Sequence, residues 1–306
     1  MAGGISRDEA KNWWLRCISC SETSVTLVNR DAGVEAPLFE QALHLFSGGF
    51  MHQGQACGHL WGATLSAGLR ATESFSGTDV RSAAALDATR RLIAALPEDG
   101  WAFTCWQNTG FDFTLLSGRL NYLKSEKPKA CGRKALAWAS KANNVIDTAI
   151  ANFDSEAIAI PCANCAVNCM SKVAPVTGLG NRDSSIVAGF AGGLGLTGNV
   201  CGALSVGVFA LSVRYYRDRN PESRDPKFRA AVQELNLVPF GLRKLPYRLL
   251  RDFTARFQTK SCEDIVGRVF DDIEDHSRFV ANGGCQEVVQ FVADWLRERC
   301  GVAQTK

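Results

Sequence analysis

"GGLGLTGNVCGAL", residues 192–204, opens like a dinucleotide-binding loop, because Gly193, Gly195 and Gly198 stand in G-x-G-x-x-G spacing. Such a loop belongs between a strand and a helix, with an acidic residue about twenty positions further on. The preceding "SSIVAGFAGG" is short and ambiguous, and Asp218 falls in a charged insert. A second stretch settles the reading. Laid on "FSGGFMHQGQACGHL" (46–60), "FAGGLGLTGNVCGAL" (190–204) pairs Phe46, Gly48, Gly49, Gly54, Cys57 and Gly58 with Phe190, Gly192, Gly193, Gly198, Cys201 and Gly202 at a constant offset of 144. Met51 replaces the central Gly195, while the Cys-Gly pair persists. The shared element is the cysteine, and the glycines are expected to let the backbone turn tightly around a bulky group on the sulfur, with N–H groups aimed at it.

Outward from this motif the repeat continues. "CISC" (Cys17, Cys20) meets "CANC" (Cys162, Cys165) at offset 145, Cys105 and Gly110 match Cys262 and Gly267, and Cys131 and Ala139 match Cys285 and Ala293. Each half reads CxxC, GxxCG, CxxxxG and then a cysteine opening a helix. The halves are placed at 1–153 and 154–306, the second carrying an Arg-, Pro- and Lys-rich insert at 214–247 read as a solvated excursion or partner contact.

The chain has 306 residues, 46% apolar and 9% aromatic, enough for a substantial core in one large or two ordinary domains. With 34 basic and 31 acidic residues and a net charge of +3, nucleic-acid binding has no compositional support. Twelve cysteines are too many for an ordinary intracellular enzyme, in a chain too long for a disulfide scaffold. "MAGGISRDEAKNWWLRC" carries charges where a signal peptide needs an apolar run, so a cytoplasmic setting is expected, in which clustered cysteines hold metal or do redox work. Residues 184–213 lack charge and could span a bilayer by length. Their seven glycines disfavour membrane insertion and favour a buried helix-loop-helix.

Together "GFAGGLGLTGNVCGALSVGVFALSVRY", "FTARFQTKSCEDIVG", "GGCQEVVQFVADW" and "NCAV" resemble the redox-protein family named C-GCAxxG-C-C for its spaced cysteines. The second half, about 160–296, matches nearly end to end. The first matches less closely, well at "GQACGHLWGATLSAG" and "CWQNTGFD" and more loosely at "CISCSETSV" and "KACGRKALAWA". The resemblance implies a largely helical fold and an iron-sulfur or related redox centre held by Cys20, Cys57, Cys105 and Cys131 in the first half and by Cys165, Cys201, Cys262 and Cys285 in the second. Gly54, Gly58, Gly198 and Gly202 accompany them. Covalent c-type haem needs CxxCH, and Ser21 and Ala166 follow the CxxC pairs here.

Four thiolates satisfy an iron-sulfur cluster and also zinc. Structural zinc gathers its ligands in two short knuckles, whereas these are scattered over more than a hundred residues per half. Iron-sulfur is therefore favoured. Cys17 and Cys162 are repeat-related and are alternative ligands or nearby thiols, while Cys169 and Cys300 have no counterpart and read as plain thiols. Among the histidines, His44, His52, His59 and His276, the two that flank Cys57 are His52 and His59; they face Leu196 and Ala203 in the other copy, a difference that would tune the two centres apart. Trp61, Trp101, Trp106 and Asp112 have ordinary readings as core residues and a helix cap.

Apolar spacing of three and four predicts helices at 36–46, 81–96, 131–153, 227–235 and 285–300, and one alternating run, "SVTLVN" (24–29), predicts a strand. The fold expected is all-α, two tandem pseudo-symmetric helical domains. The function expected is electron transfer to or from a redox partner protein or oxidoreductase complex, with room for a homo-oligomer. The alternatives are a redox enzyme using an open cluster site or a CxxC dithiol, and a zinc scaffold.

Overall fold

A computed structural model describes residues 19–97, 100–156, 158–218 and 240–301. Its helices are α1 (Cys20–Asp31), α2 (Pro37–Ala42), α3 (Gly58–Ser74), α4 (Thr78–Ala95), α5 (Cys105–Thr109), α6 (Leu116–Lys124), α7 (Lys127–Ala151), α8 (Cys165–Thr177), α9 (Gly202–Arg217), α10 (Phe240–Phe257), α11 (Cys262–Val266), α12 (Ile273–Ala281) and α13 (Gln286–Cys300). Two 3-10 segments, Leu43–Phe46 and Asn181–Phe190, precede the glycine loops. Among the described residues the extended pairing is limited to two isolated bridges, Ala56 with Thr104 and Val200 with Ser261. The class is all-α.

The strand expected at 24–29 is the middle of α1. Ser19 caps that helix by accepting the Glu22 N–H, and Val25, Leu27 and Val28 are fully buried along with the intervening Ser24 and Thr26. Burial on every side lets packing override the strand preference of β-branched residues. The helix expected at 36–46 is broken at Leu43 into a tighter 3-10 turn, and that expected at 131–153 starts four residues earlier, with Pro128 in its first turn. The helix expected at 227–235 lies outside the described residues, as do Cys17 and most of the 214–247 insert, whose two ends belong to α9 and α10.

The repeat is visible element by element: α1, α3, α4, α5, α6 and α7 correspond in order to α8, α9, α10, α11, α12 and α13. The two copies share one hydrophobic core. At its centre the Phe190 ring of the second copy lies 5.7 Å from Phe46 and 5.0 Å from Trp61 of the first. Gly68 of α3 has no room for a Cβ against the Ile186 carbonyl, and Gly189 none against Thr64 and Thr89. These approaches bring backbone of one copy onto backbone of the other at Gly68 and onto side chains at Gly189. Trp61 is thus a core residue, and Trp101 packs on Trp138 and His59.

The uncharged stretch 184–213 does form a buried 3-10 segment, loop and helix. Among the described residues no helix is long and apolar enough to cross a membrane.

Candidate functional site

Each glycine motif folds into a left-handed turn. Gly48, Gly49, Phe50, Met51 and His52 have φ between 53° and 71°, and Gly192, Gly193, Leu194, Gly195 and Leu196 have φ between 60° and 81°. The non-glycine residues each cost about 1–2 kcal/mol in that region. Burial offsets this, since Phe50, Met51 and Leu194 are completely enclosed. The turn directs the first N–H of each copy inward: Gly48 N–H favours the Cys20 thiolate, and Gly192 N–H favours that of Cys165.

Leaving the turn, each chain passes a glycine at positive φ and pairs with the segment carrying the third cysteine. In the first copy Cys57 N–H donates to the Phe103 carbonyl (2.8 Å) and Cys105 N–H to the Gln55 carbonyl (2.8 Å). In the second, Cys201 N–H donates to Lys260 (2.8 Å) and Cys262 N–H to Asn199 (2.6 Å). Gly54 and Gly198 therefore position a two-strand contact that sets the second cysteine beside the third; their carbonyls accept from Trp106 (3.1 Å) and Glu263 (3.0 Å). Gly58 serves close approach instead, since a Cβ there would press into the Cys20 sulfur; at Gly202 it would meet the Phe190 carbonyl at 2.7 Å.

Seven of the eight cysteines stand at helix N-termini. Cys20, Cys105, Cys165 and Cys262 are first residues of α1, α5, α8 and α11, and Cys57, Cys201 and Cys285 immediately precede α3, α9 and α13. Cys131 is the exception, one turn inside α7. The unsatisfied amides of a first helical turn favour a thiolate. His59 and Leu60 amides act on Cys57, as Ala203 and Leu204 amides do on Cys201. The short α5 and α11 hold their cysteines through Thr104, which forms a capping box with Gln107, and Ser261, which accepts from Asp264 N–H; Gly110 and Gly267 end them in the left-handed conformation.

The four thiols of each half lie within electrostatic reach of one another. Cys57 feels Cys20 and Cys131, and Cys105 feels Cys57, Cys20 and Cys131. In the other half Cys201 feels Cys165, Cys262 feels Cys201 and Cys165, and Cys285 feels all three. Burial is the main force on most of them, pushing the Cys20 and Cys201 thiols up to about 12 and raising Cys57, Cys105, Cys131 and Cys262 as well. Cys165 moves the other way. The neighbouring Cys285 thiol and then His276 pull it down, and Cys285 is raised correspondingly.

Two neighbours of the thiols were not among the expected site residues. Tyr122 stands by Cys131 and favours its thiolate, and His276, completely buried with its ring against Phe270 (4.9 Å), does the same for Cys165. Each stands nine residues before the fourth cysteine of its copy, on the matching helices α6 and α12. The shared spacing is a sequence signal hidden by the change of residue type. The histidines flanking Cys57 take other places. His59 packs on Trp101 (4.9 Å), and burial lowers it to about 3, so it is neutral; His52 lies at Phe113 (6.3 Å). His44 pairs with Glu22 at 2.8 Å.

Of the remaining thiols, Cys162 is buried beside Ser277 and near Cys165, and burial raises it to about 11. Cys169 occupies the position of Ser24: its sulfur donates to the Ala203 carbonyl (3.6 Å) as Ser24 Oγ donates to that of His59 (2.9 Å), a helix-packing contact. Cys300 closes α13, and its carbonyl accepts from Arg214. Asp112 does not cap a helix; its carboxylate accepts from the Thr114 N–H (2.8 Å) and hydroxyl (2.6 Å) in a local turn. Trp106 is half exposed. Among the described residues no three His, Cys, Asp or Glu side chains are gathered as a single metal ion requires.

Each half thus presents four motif cysteines at matching places of the repeat, seven of the eight at helix N-termini. Residues 18–145 and 161–299 each match the family described as "Putative redox-active protein (C_GCAxxG_C_C)", and the chain belongs to that family as a tandem of two copies. No curated protein and no solved structure matches it.

Proposed function

We propose that the chain is an iron-sulfur electron-transfer protein with one cluster per half, held by Cys20, Cys57, Cys105 and Cys131 and by Cys165, Cys201, Cys262 and Cys285. The observation that carries this reading is the recurrence of four motif cysteines in each half at matching places of the repeat, seven of the eight at helix N-termini. The donor set suits the group: four soft sulfur donors and no carboxylate among them. Left unbonded, most of these buried sulfurs are protonated at neutral pH, and bonding to metal removes those protons. Structural zinc gathers its ligands in two short knuckles, whereas each half here draws its cysteines from four separate elements.

When bound, the cluster supplies one-electron redox chemistry. The chain supplies its environment. Amides of Gly48 and Gly192, the Tyr122 hydroxyl and His276 lie by the cysteines, and each favours negative charge there. Tyr122 in one half and His276 in the other give the two centres different potentials. Cys57→Ser and Cys201→Ser are expected each to lower the iron content by about half while leaving the other centre intact; full iron in both variants would overturn the assignment.

A second reading rests on one contact. Cys165 and Cys285 are neighbours, Cys165 pulled toward the thiolate and Cys285 toward the thiol, and joining that thiolate and thiol as a disulfide releases one proton and two electrons to an oxidised acceptor. If the protein carries no iron and instead loses two hydrogens on exposure to oxidised glutathione, with Cys285→Ser blocking the change, the dithiol reading replaces the first.

A further inference from the structure

α6 buries none of its residues. Leu116, Leu120 and Leu123 follow one another at helical spacing and are 70%, 46% and 41% exposed, continued by Leu115 (56%) and by Trp106 (51%) on α5. A continuous apolar stripe of this kind marks a surface that another protein covers. The segment that carries it is basic: between residues 112 and 134 stand Arg119, Lys124, Lys127, Lys129, Arg133 and Lys134, the last four on α7, against Asp112 and Glu126.

The matching face of the other copy has the opposite sign. From α11 through α12 it carries Glu263, Asp264, Asp271, Asp272, Glu274 and Asp275, against Arg268 and Arg278, and exposes Val269 (42%). The two faces flank one joint. There the Asn199 side chain donates to Gln55 Oε1 (3.0 Å) and accepts from Ala56 N–H (3.3 Å), while α5 and α11 hydrogen-bond to the loops on either side, at Gly54 and Gly198. A basic and an acidic patch side by side are self-complementary: a twofold rotation about the line between them lays basic on acidic twice.

We infer that the chain pairs with a second copy of itself through this end, the basic leucine-bearing α6 face of each copy seated on the acidic α11–α12 face of the other. The leucines and Trp106 supply the apolar centre of the contact. The charges set orientation and steer association, and they exclude the parallel arrangement in which basic meets basic. Such pairing also sets the first site of one copy opposite the second site of its partner.

The test is sedimentation velocity on the full chain over a range of concentrations, at low and high salt. A concentration-dependent dimer that loosens with salt is expected. Leu116→Glu with Leu120→Glu should raise its dissociation constant by about tenfold or more with helical circular dichroism unchanged. Glu263→Lys with Asp271→Lys should weaken it likewise, and adding Lys124→Glu and Lys127→Glu to that variant should restore it. A monomer at every concentration, or a dimer indifferent to both pairs of substitutions, would overturn the inference. So would a monomer that binds an acidic ferredoxin through the same leucines.

Discussion

At the scale of single residues, geometry asks most of two positions. A methyl group at Gly58 would enter the Cys20 sulfur, so Gly58→Ala should lower the melting temperature and selectively empty the first centre, read as loss of about half the iron. Glu40 provides the pH dependence. Burial raises its carboxyl even though Asn29 and Thr26 donate to it, so folding favours the protonated form. Its contribution is greatest below the unfolded pKa and is lost as pH rises through the higher folded value. Glu40→Gln removes the charge, its carbonyl oxygen still accepting from Asn29 and its amide donating instead to the Thr26 hydroxyl; its urea midpoint should exceed wild type at neutral pH, with the gain shrinking as pH falls. The motif cysteines were legible because they occur twice. Tyr122 and His276 were not, since a phenol and an imidazole share no letter though they share a place. Phe50 and Leu194 carry no local mark of a left-handed backbone either; only their burial in the finished core sustains it.

At the scale of elements, the protein aims helix N-termini at sulfur, and the shortest helices depend most on their caps. Thr104→Ala removes a capping box and Ser261→Ala an N-cap bond from five-residue helices, and each should cost about 1 kcal/mol in urea denaturation. Alkylation of the metal-free protein should then quicken at Cys105 in one variant and at Cys262 in the other. Unchanged reactivity would show that the cap does not hold the cysteine in place. Helical periodicity located α4, α7 and α13 because each has one buried and one wet face. It failed at α1, where nine successive residues from Ser21 to Asn29 are buried and no face alternates with solvent. It also placed the start of α7 at Cys131, the residue that marks the motif, rather than at Lys127, where the helix begins.

At the scale of the whole molecule, the doubled sequence describes two copies but not how closely they are joined. The halves meet through Phe46, Trp61 and Phe190 and through glycine contacts too close for a side chain, features that a one-dimensional repeat does not display. Residues 1–153 and 154–306 produced separately are accordingly expected to lack a cooperative unfolding transition and to regain it when mixed, because each alone exposes core. Independent, cooperative unfolding of either half would instead make the shared core dispensable. The central claim remains that two sets of four thiols carry two redox centres. Iron and acid-labile sulfide analysis with an absorption spectrum, on protein purified without oxygen, tests it most directly. The account predicts iron with sulfide, a brown chromophore, and enough iron for both halves. Zinc without sulfide, or no metal together with a Cys165–Cys285 disulfide, would contradict it.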